Sequence, residues 1–223
     1  MNDSGAQSDA IPFDDDTWQQ LPDFLANLPE PVCLYVWGDE AGTAAEREAA
    51  QLARTLAGRF PLLSYRLFPR RENYRYYPVI GVMAGTAAEA SDFGVRIIGL
   101  PIGYQMTSLI AAIQAVAFRG QTLEPMTRIK LGRLPADQEI AIEVLTSAED
   151  EMGGLAAKVA FGAAAAAERV RAFLIVTDFF PEAAQRYSAL ALPHVVINRH
   201  IHFSGAPDES DLLRHIGLAL KRE

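Results

Sequence analysis

Three carboxylates run in a row at Glu149-Asp150-Glu151, followed by Met152 and Gly153-Gly154. Such a run could supply an acid/base pair or hold a hard cation, given a defined separation and raised pKa values. The same residues suit the start of a helix, where negative charge complements the macrodipole. The helical pattern that begins at Met152 points to this second use. His194, His200 and His202 lie close in sequence. His200 and His202 alternate and so share one strand face. A two-residue turn at Asn198-Arg199 sets His202 opposite Val195 and leaves His194 on the other face. The three imidazoles then do not converge as a metal site. His215 lies on the last helix, and a His194–Glu149 contact is within reach of this layout. Cys33 is the one cysteine. Val32, Leu34, Tyr35 and Val36 place it inside a strand, where a thiol is buried and inert. One cysteine excludes an internal disulfide and a cysteine-rich metal site. There is no phosphate-binding glycine loop, no G-x-S-x-G and no H-E-x-x-H. These residues imply no metal and no cofactor.

The elements that must position them follow from periodicity. Asp14, Asp15 and Asp16 precede a helical pattern at Trp18, Leu21, Phe24, Leu25 and Leu28, bracketed by Pro29 and Pro31. The spacing predicts strands over Val32–Trp37 and Leu62–Phe68 around a helix over Thr43–Ala57 that stops at Gly58. A hairpin follows, Val79–Met83 with Val95–Ile98, joined by a long Ala/Gly/Ser/Asp connection. A helix over Tyr104–Phe118, a shorter helical piece and a break at Gly132–Pro135 end this half. The pattern then restarts: strand Ile140–Leu145, helix Met152–Ala167, strand Val170–Val176, short helix Pro181–Tyr187, hairpin His194–Ile197 with His200–Phe203, and a closing helix Asp208–Leu220. Tyr77-Pro78 opens the first hairpin and Leu192-Pro193 the second. Gly99-Leu100-Pro101 and Gly205-Ala206-Pro207 precede the two final helices. This reads as a tandem duplication, with residues 1–30 a tail and helix, 31–133 unit one and 134–223 unit two.

The chain has 223 residues, half of them hydrophobic, and a net charge of −8. That charge opposes non-specific nucleic-acid binding. Arg70, Arg71 and Arg75 interleave with Phe68, Tyr74, Tyr76 and Tyr77, a pattern that could stack bases. A solvated loop whose tyrosines cover a core edge is the reading such charged surfaces favour, and no nucleic-acid partner is expected. No apolar run reaches membrane-spanning length, and the N-terminus lacks the basic and apolar regions of a secretory signal. A cytoplasmic protein is expected.

Gly94-Val95-Arg96-Ile97-Ile98-Gly99-Leu100-Pro101-Ile102-Gly103-Tyr104-Gln105-Met106-Thr107-Ser108-Leu109 resembles a motif of the tandem thioredoxin-fold, glutaredoxin-like proteins. These include the N-terminal region of the alkyl hydroperoxide reductase flavoprotein subunit and the protein disulfide oxidoreductases. Gln105 and Met106 depart from the Glu and Phe-like residues of that motif. Leu192-Pro193-His194-Val195-Val196-Ile197-Asn198 is similar to the start of the family's last hairpin. The resemblance implies an α/β fold of two thioredoxin-like units, each a mixed sheet flanked by helices. It implies cis bonds before Pro78 and Pro193, with a groove formed by Pro78, Leu192, Pro193 and His194. It also sets the family's Cys-x-x-Cys on Glu149, Asp150, Glu151 and Met152, a vestigial active-site loop. The matching stretch of unit one, Trp37 to Gly42, has no thiol either. Dithiol exchange needs an attacking thiolate and a resolving partner. The expectation is therefore a redox-inactive member without catalytic residues, binding a protein partner beside Pro193. The alternative is a divergent thiol-disulfide or peroxide-detoxification oxidoreductase acting with a partner's cysteines. A folding or assembly factor for one client is a third possibility.

Overall fold

The computed structural model describes residues 15–221. The acidic tail, including Asp14, lies outside the described residues. In chain order the elements are α1 (Asp15–Leu25), β1 (Val32–Trp37), α2 (Ala44–Arg59), β2 (Leu63–Phe68), β3 (Val79–Gly85) and β4 (Ala90–Ile98). A 3-10 turn (Gly103–Gln105), α3 (Met106–Ala117) and α4 (Pro125–Leu131) follow. The second half holds β5 (Ile140–Thr146), α5 (Gly153–Ala166), β6 (Val170–Val176), α6 (Pro181–Arg186), β7 (His194–Ile197), β8 (Ile201–Ser204) and α7 (Glu209–Ala219).

All eight strands form one sheet in the order β2-β1-β3-β4-β6-β5-β7-β8. Within each half the order is second, first, third, fourth strand, so both halves are mixed sheets built alike. A parallel pairing of β4 with β6 joins them, setting Arg96 beside Phe173. Period-two alternation divides the side chains between two faces. Val32, Leu34 and Val36 of β1 and Val170, Ala172 and Leu174 of β6 face a continuous core under α1 to α5 and α7. Cys33, Trp37, Met83, Ile98, Ile175 and Val196 face the other side, covered by Ala183, Tyr187 and tyrosines of segment 69–78. Both Tyr77–Pro78 and Leu192–Pro193 are cis. Each proline carbonyl accepts a hydrogen bond from a glycine amide, Gly99 at 2.9 Å and Gly205 at 2.8 Å.

Some elements differ from the sequence-based expectations. The connection expected within the first hairpin is mostly strand: β3 runs to Gly85 and β4 begins at Ala90. Pairing of β3 with β1 on its other side overrides the weak strand propensity of Ala84 and Gly85. A bulge between Val82 and Met83 leaves Phe93 and Gly94 as extra residues on β4, with Gly94 at φ +77°. Helix α2 does not stop at Gly58 but continues through Arg59, whose guanidinium lies 4.1 Å over the Trp18 ring.

The second hairpin carries the most consequential correction. Its loop is three residues, Asn198 to His200, with Asn198 and Arg199 both at positive φ. His202 therefore pairs with Val196, not Val195, and His194 pairs with Ser204. One residue of register moves every side chain to the other face. His194 and His202 consequently lie on the same face, with rings 5.6 Å apart. Asn198 fixes this register: its Oδ1 accepts from the Ala141 amide at 2.8 Å and its Nδ2 donates to the Glu139 carbonyl at 3.2 Å. Replacing Asn198 with Ala removes both bonds and the residue type best suited to that left-handed backbone. Asn198→Ala is expected to cost about 2 kcal/mol of unfolding free energy, read from denaturant midpoints at unchanged slope.

Candidate functional site

The loop of Glu149 to Met152, expected from the resemblance to be a vestigial active-site loop, lies between the end of β5 and the start of α5. Its carboxylates do not act as a group. The Asp150 carboxylate turns inward, accepting from the Thr146 hydroxyl at 2.8 Å and the Met152 amide at 3.1 Å. Glu149 and Glu151 are exposed. Among the described residues no cluster of His, Cys, Asp and Glu has the arrangement to hold a metal ion. The loop backbone is held from below by Gln105, which is wholly buried. Its amide nitrogen donates to the carbonyls of Ser147 at 2.7 Å and Asp150 at 2.9 Å, and its oxygen accepts from the Ser108 hydroxyl at 2.8 Å. Tyr104 donates its amide to the Ala148 carbonyl at 3.0 Å, and Asp178 accepts from the Ala148 amide at 2.8 Å.

Two glycines let α5 begin tight against this loop. A Cβ on Gly153 would meet the Thr146 hydroxyl at 2.0 Å, and one on Gly154 would meet that of Thr107 at 2.3 Å. The sequence marked Gln105 only as a departure from the motif, without indicating its partners. Glutamate at this position would present an acceptor to two carbonyls and lose both bonds. Gln105→Glu is expected to lower unfolding free energy by about 3 kcal/mol at neutral pH, measured by chemical denaturation.

The thiol-free loop of unit one is also tied down, by a residue the sequence did not reveal. Glu46, on the first turn of α2, is 2% exposed. Its carboxylate accepts from the amides of Asp39 and Thr43, from the Thr43 hydroxyl, and from Arg70 through Nε at 2.7 Å and Nη2 at 2.6 Å. Arg70 is therefore a partner of this loop rather than part of a stacking platform. The Arg70 guanidinium, aided by these amides, brings the Glu46 carboxyl from its ordinary 4.5 down to about 2. The folded-state value lies below the unfolded one. The stabilisation is thus fully present above about 4.5 and is lost as pH falls towards about 2. Glu46→Gln should flatten this acid limb. Between about pH 5 and about pH 2 the wild type is expected to lose on the order of 2 kcal/mol more than the variant. That figure is discounted because Arg70 is half exposed.

The structure separates residues that the sequence grouped. Glu149, Glu151 and Met152 line a concavity of about 890 Å³ with Phe24, Tyr104 and Leu155, outside the helix layer. Leu192 packs with the aromatic cluster on the opposite face of the sheet. His194 does not reach Glu149. Its ring nitrogens lie 3.3 Å from the Ser204 hydroxyl and 3.4 Å from His202 Nδ1, and burial followed by the nearby His202 pushes its pKa down. Cys33 is fully buried, and burial pushes its thiol pKa up. Pro193 stands one step beyond the Leu145–His194 pair, beside the end of β5. The segment before it is open: among the described residues Leu190, Ala191 and Leu192 make no backbone hydrogen bond, and Leu190 is 99% exposed.

This architecture is that of the tandem thioredoxin-fold proteins. The chain superposes on the alkylhydroperoxide reductase protein AhpF of Enterococcus faecalis (V583) with a TM-score of 0.80 at 20% identity, covering 91% of this chain and 98% of that one. The separate NTD_N/C domain of the same protein gives the same figures. A protein disulfide oxidoreductase from Aeropyrum pernix K1 matches with a TM-score of 0.80 at 19% identity, over 94% of each chain. At these identities the likeness establishes the fold. No protein-family model matches the chain, and no curated protein matches it in sequence. Among the described residues no helix is long and apolar enough to cross a membrane.

Proposed function

We propose that this chain is a thioredoxin-fold binding module that docks an extended polypeptide and performs no dithiol chemistry of its own. The observation that carries the proposal is the Leu190-Ala191-Leu192 segment leading into Pro193. Its amides and carbonyls have no protein partner among the described residues, and it begins with an exposed leucine. Free backbone groups beside a strand can pair with an added strand, while adjacent side chains select its sequence. The redox half of the reading is supported by the position of the single cysteine inside β1. It is supported also by the hydrogen bonds that tie down the loop backbones of both units. The docking residues are Leu192, Pro193 and Leu190, with His194 as part of the floor. Pro78 holds the matching position in unit one.

A displayed library of extended peptides, selected on the full chain, tests this reading. Selected peptides are expected to bind with roughly micromolar Kd and to weaken at least about tenfold on Leu192→Arg. Failure to select any peptide, or equal binding by wild type and variant, would overturn the proposal.

A further inference from the structure

The open face of the sheet carries a second feature, remote from the Leu190–Leu192 segment in function and chemistry. Where β4 meets β6, a cleft of about 520 Å³ gathers Arg71 and Arg75 from segment 69–78, Arg96 from β4, Arg171 from β6, Arg186 from α6 and Arg199 from the last hairpin loop. Both halves of the chain contribute, so the cleft exists only because the two sheets are joined. The carboxylates of its lining are Asp92 and Glu143. Asp92 is already committed to Arg96, which is 7% exposed and also donates to the Tyr74 hydroxyl at 2.8 Å. Among the described residues none of the other five arginines has a carboxylate within 4.0 Å. In a chain of net charge −8, this gathers six permanently charged guanidinium groups around one concavity, and the two carboxylates of its lining, Asp92 and Glu143, offset only part of that charge.

The arginines are positioned as well as numerous. Arg71 lies 5.0 Å over the Trp37 ring, Arg75 5.6 Å over Tyr76 and Arg186 5.1 Å over Tyr187. These cation–π contacts help place the guanidinium groups at the cleft. Small residues make the hollow. Gly94 and Ala141 line it, and a Cβ on Gly94 would press on the Arg171 side chain at 2.9 Å. The floor is mixed: Phe173, Ile98 and Ile175 lie beside Glu143, which pairs with Phe173 across β5 and β6 and has Oε2 buried without a hydrogen-bond partner among the described residues. Tyr76, 8% exposed, also lines the cleft and stacks on Phe180, with its hydroxyl lacking a partner among the described residues.

We infer that this cleft binds a small, multiply phosphorylated ligand bearing a planar ring, of the nucleoside polyphosphate type. Guanidinium forks match phosphate oxygens bidentately, and Phe173, Tyr74 and Tyr76 of the lining offer aromatic faces to the ring. The volume suits a small ligand. The overall negative charge and the bounded hollow disfavour a long nucleic acid strand.

Calorimetric titration of the full chain at low and physiological salt tests this inference. The probes are ATP, tripolyphosphate, inorganic phosphate and a single-stranded oligonucleotide. ATP is expected to saturate one site, binding more tightly than tripolyphosphate, with inorganic phosphate weakest. Arg171→Ala and Arg186→Ala, both at exposed side chains, should each weaken ATP roughly tenfold at unchanged Tm. Arg119→Ala, which lies outside the cleft, should leave binding unchanged. Three results would each overturn the inference: no saturable ATP binding at low salt, equal weakening by Arg119→Ala, or an oligonucleotide that binds tighter than ATP and tightens with length. Peptide docking at Leu192 is read out separately, so either result leaves that proposal standing or falling by itself.

Discussion

The parallel pairing of β4 with β6 is the constraint from which the other features follow. It converts two four-stranded halves into one eight-stranded sheet. Both β4 and β6 become interior strands, with no unpaired edge and apolar side chains against the helix layer. The same pairing sets Arg96 beside Phe173 and brings Arg171 into line with Asp92 and Gly94. The helices gather on one face. The other face is left to α6, to segment 69–78, and to the cleft between them. A single backbone ladder thus fixes the core and also exposes the surface on which charge collects.

The loops at the start of α5 and α2 are tied into the rest of the structure. Gln105 donates to two loop carbonyls, Asp150 folds back onto Thr146, and two glycines let α5 start close to Gln105, Thr146 and Thr107. In unit one, Glu46 and Arg70 do the equivalent work with charge. At the start of α5 these bonds engage the loop backbone and the Asp150 carboxylate, while Glu149 and Glu151 remain exposed. The open backbone lies elsewhere, in the segment before Pro193.

Much of the fold was legible because burial on both faces writes long apolar runs. Val32 to Trp37, Ile140 to Leu145 and Val170 to Val176 are strands for that reason. The prolines and glycines that open each hairpin and each final helix are local signals as well. What was not legible depends on partners distant in sequence. The weak residues Ala84, Gly85 and Ala90 to Asp92 form strand because β1 and the bulged hairpin hold them. The loop at Asn198 to His200 is one residue longer than its Asn-Arg pair suggests, which reverses the faces of His194 and His202. Glu46 resembles any first-turn acid until Arg70 is placed beside it. The arginines of the cleft come from five separate segments, and only the β4–β6 ladder brings them together.

The central claim is that this thioredoxin fold operates without a reactive thiol. Reduction of insulin disulfides by dithiothreitol, followed with the full chain and with Cys33→Ala, tests it most directly. The account predicts that neither protein accelerates the reaction beyond dithiothreitol alone, because the one thiol is buried in a paired strand with its pKa pushed up. Acceleration by the wild type that disappears in Cys33→Ala would contradict it.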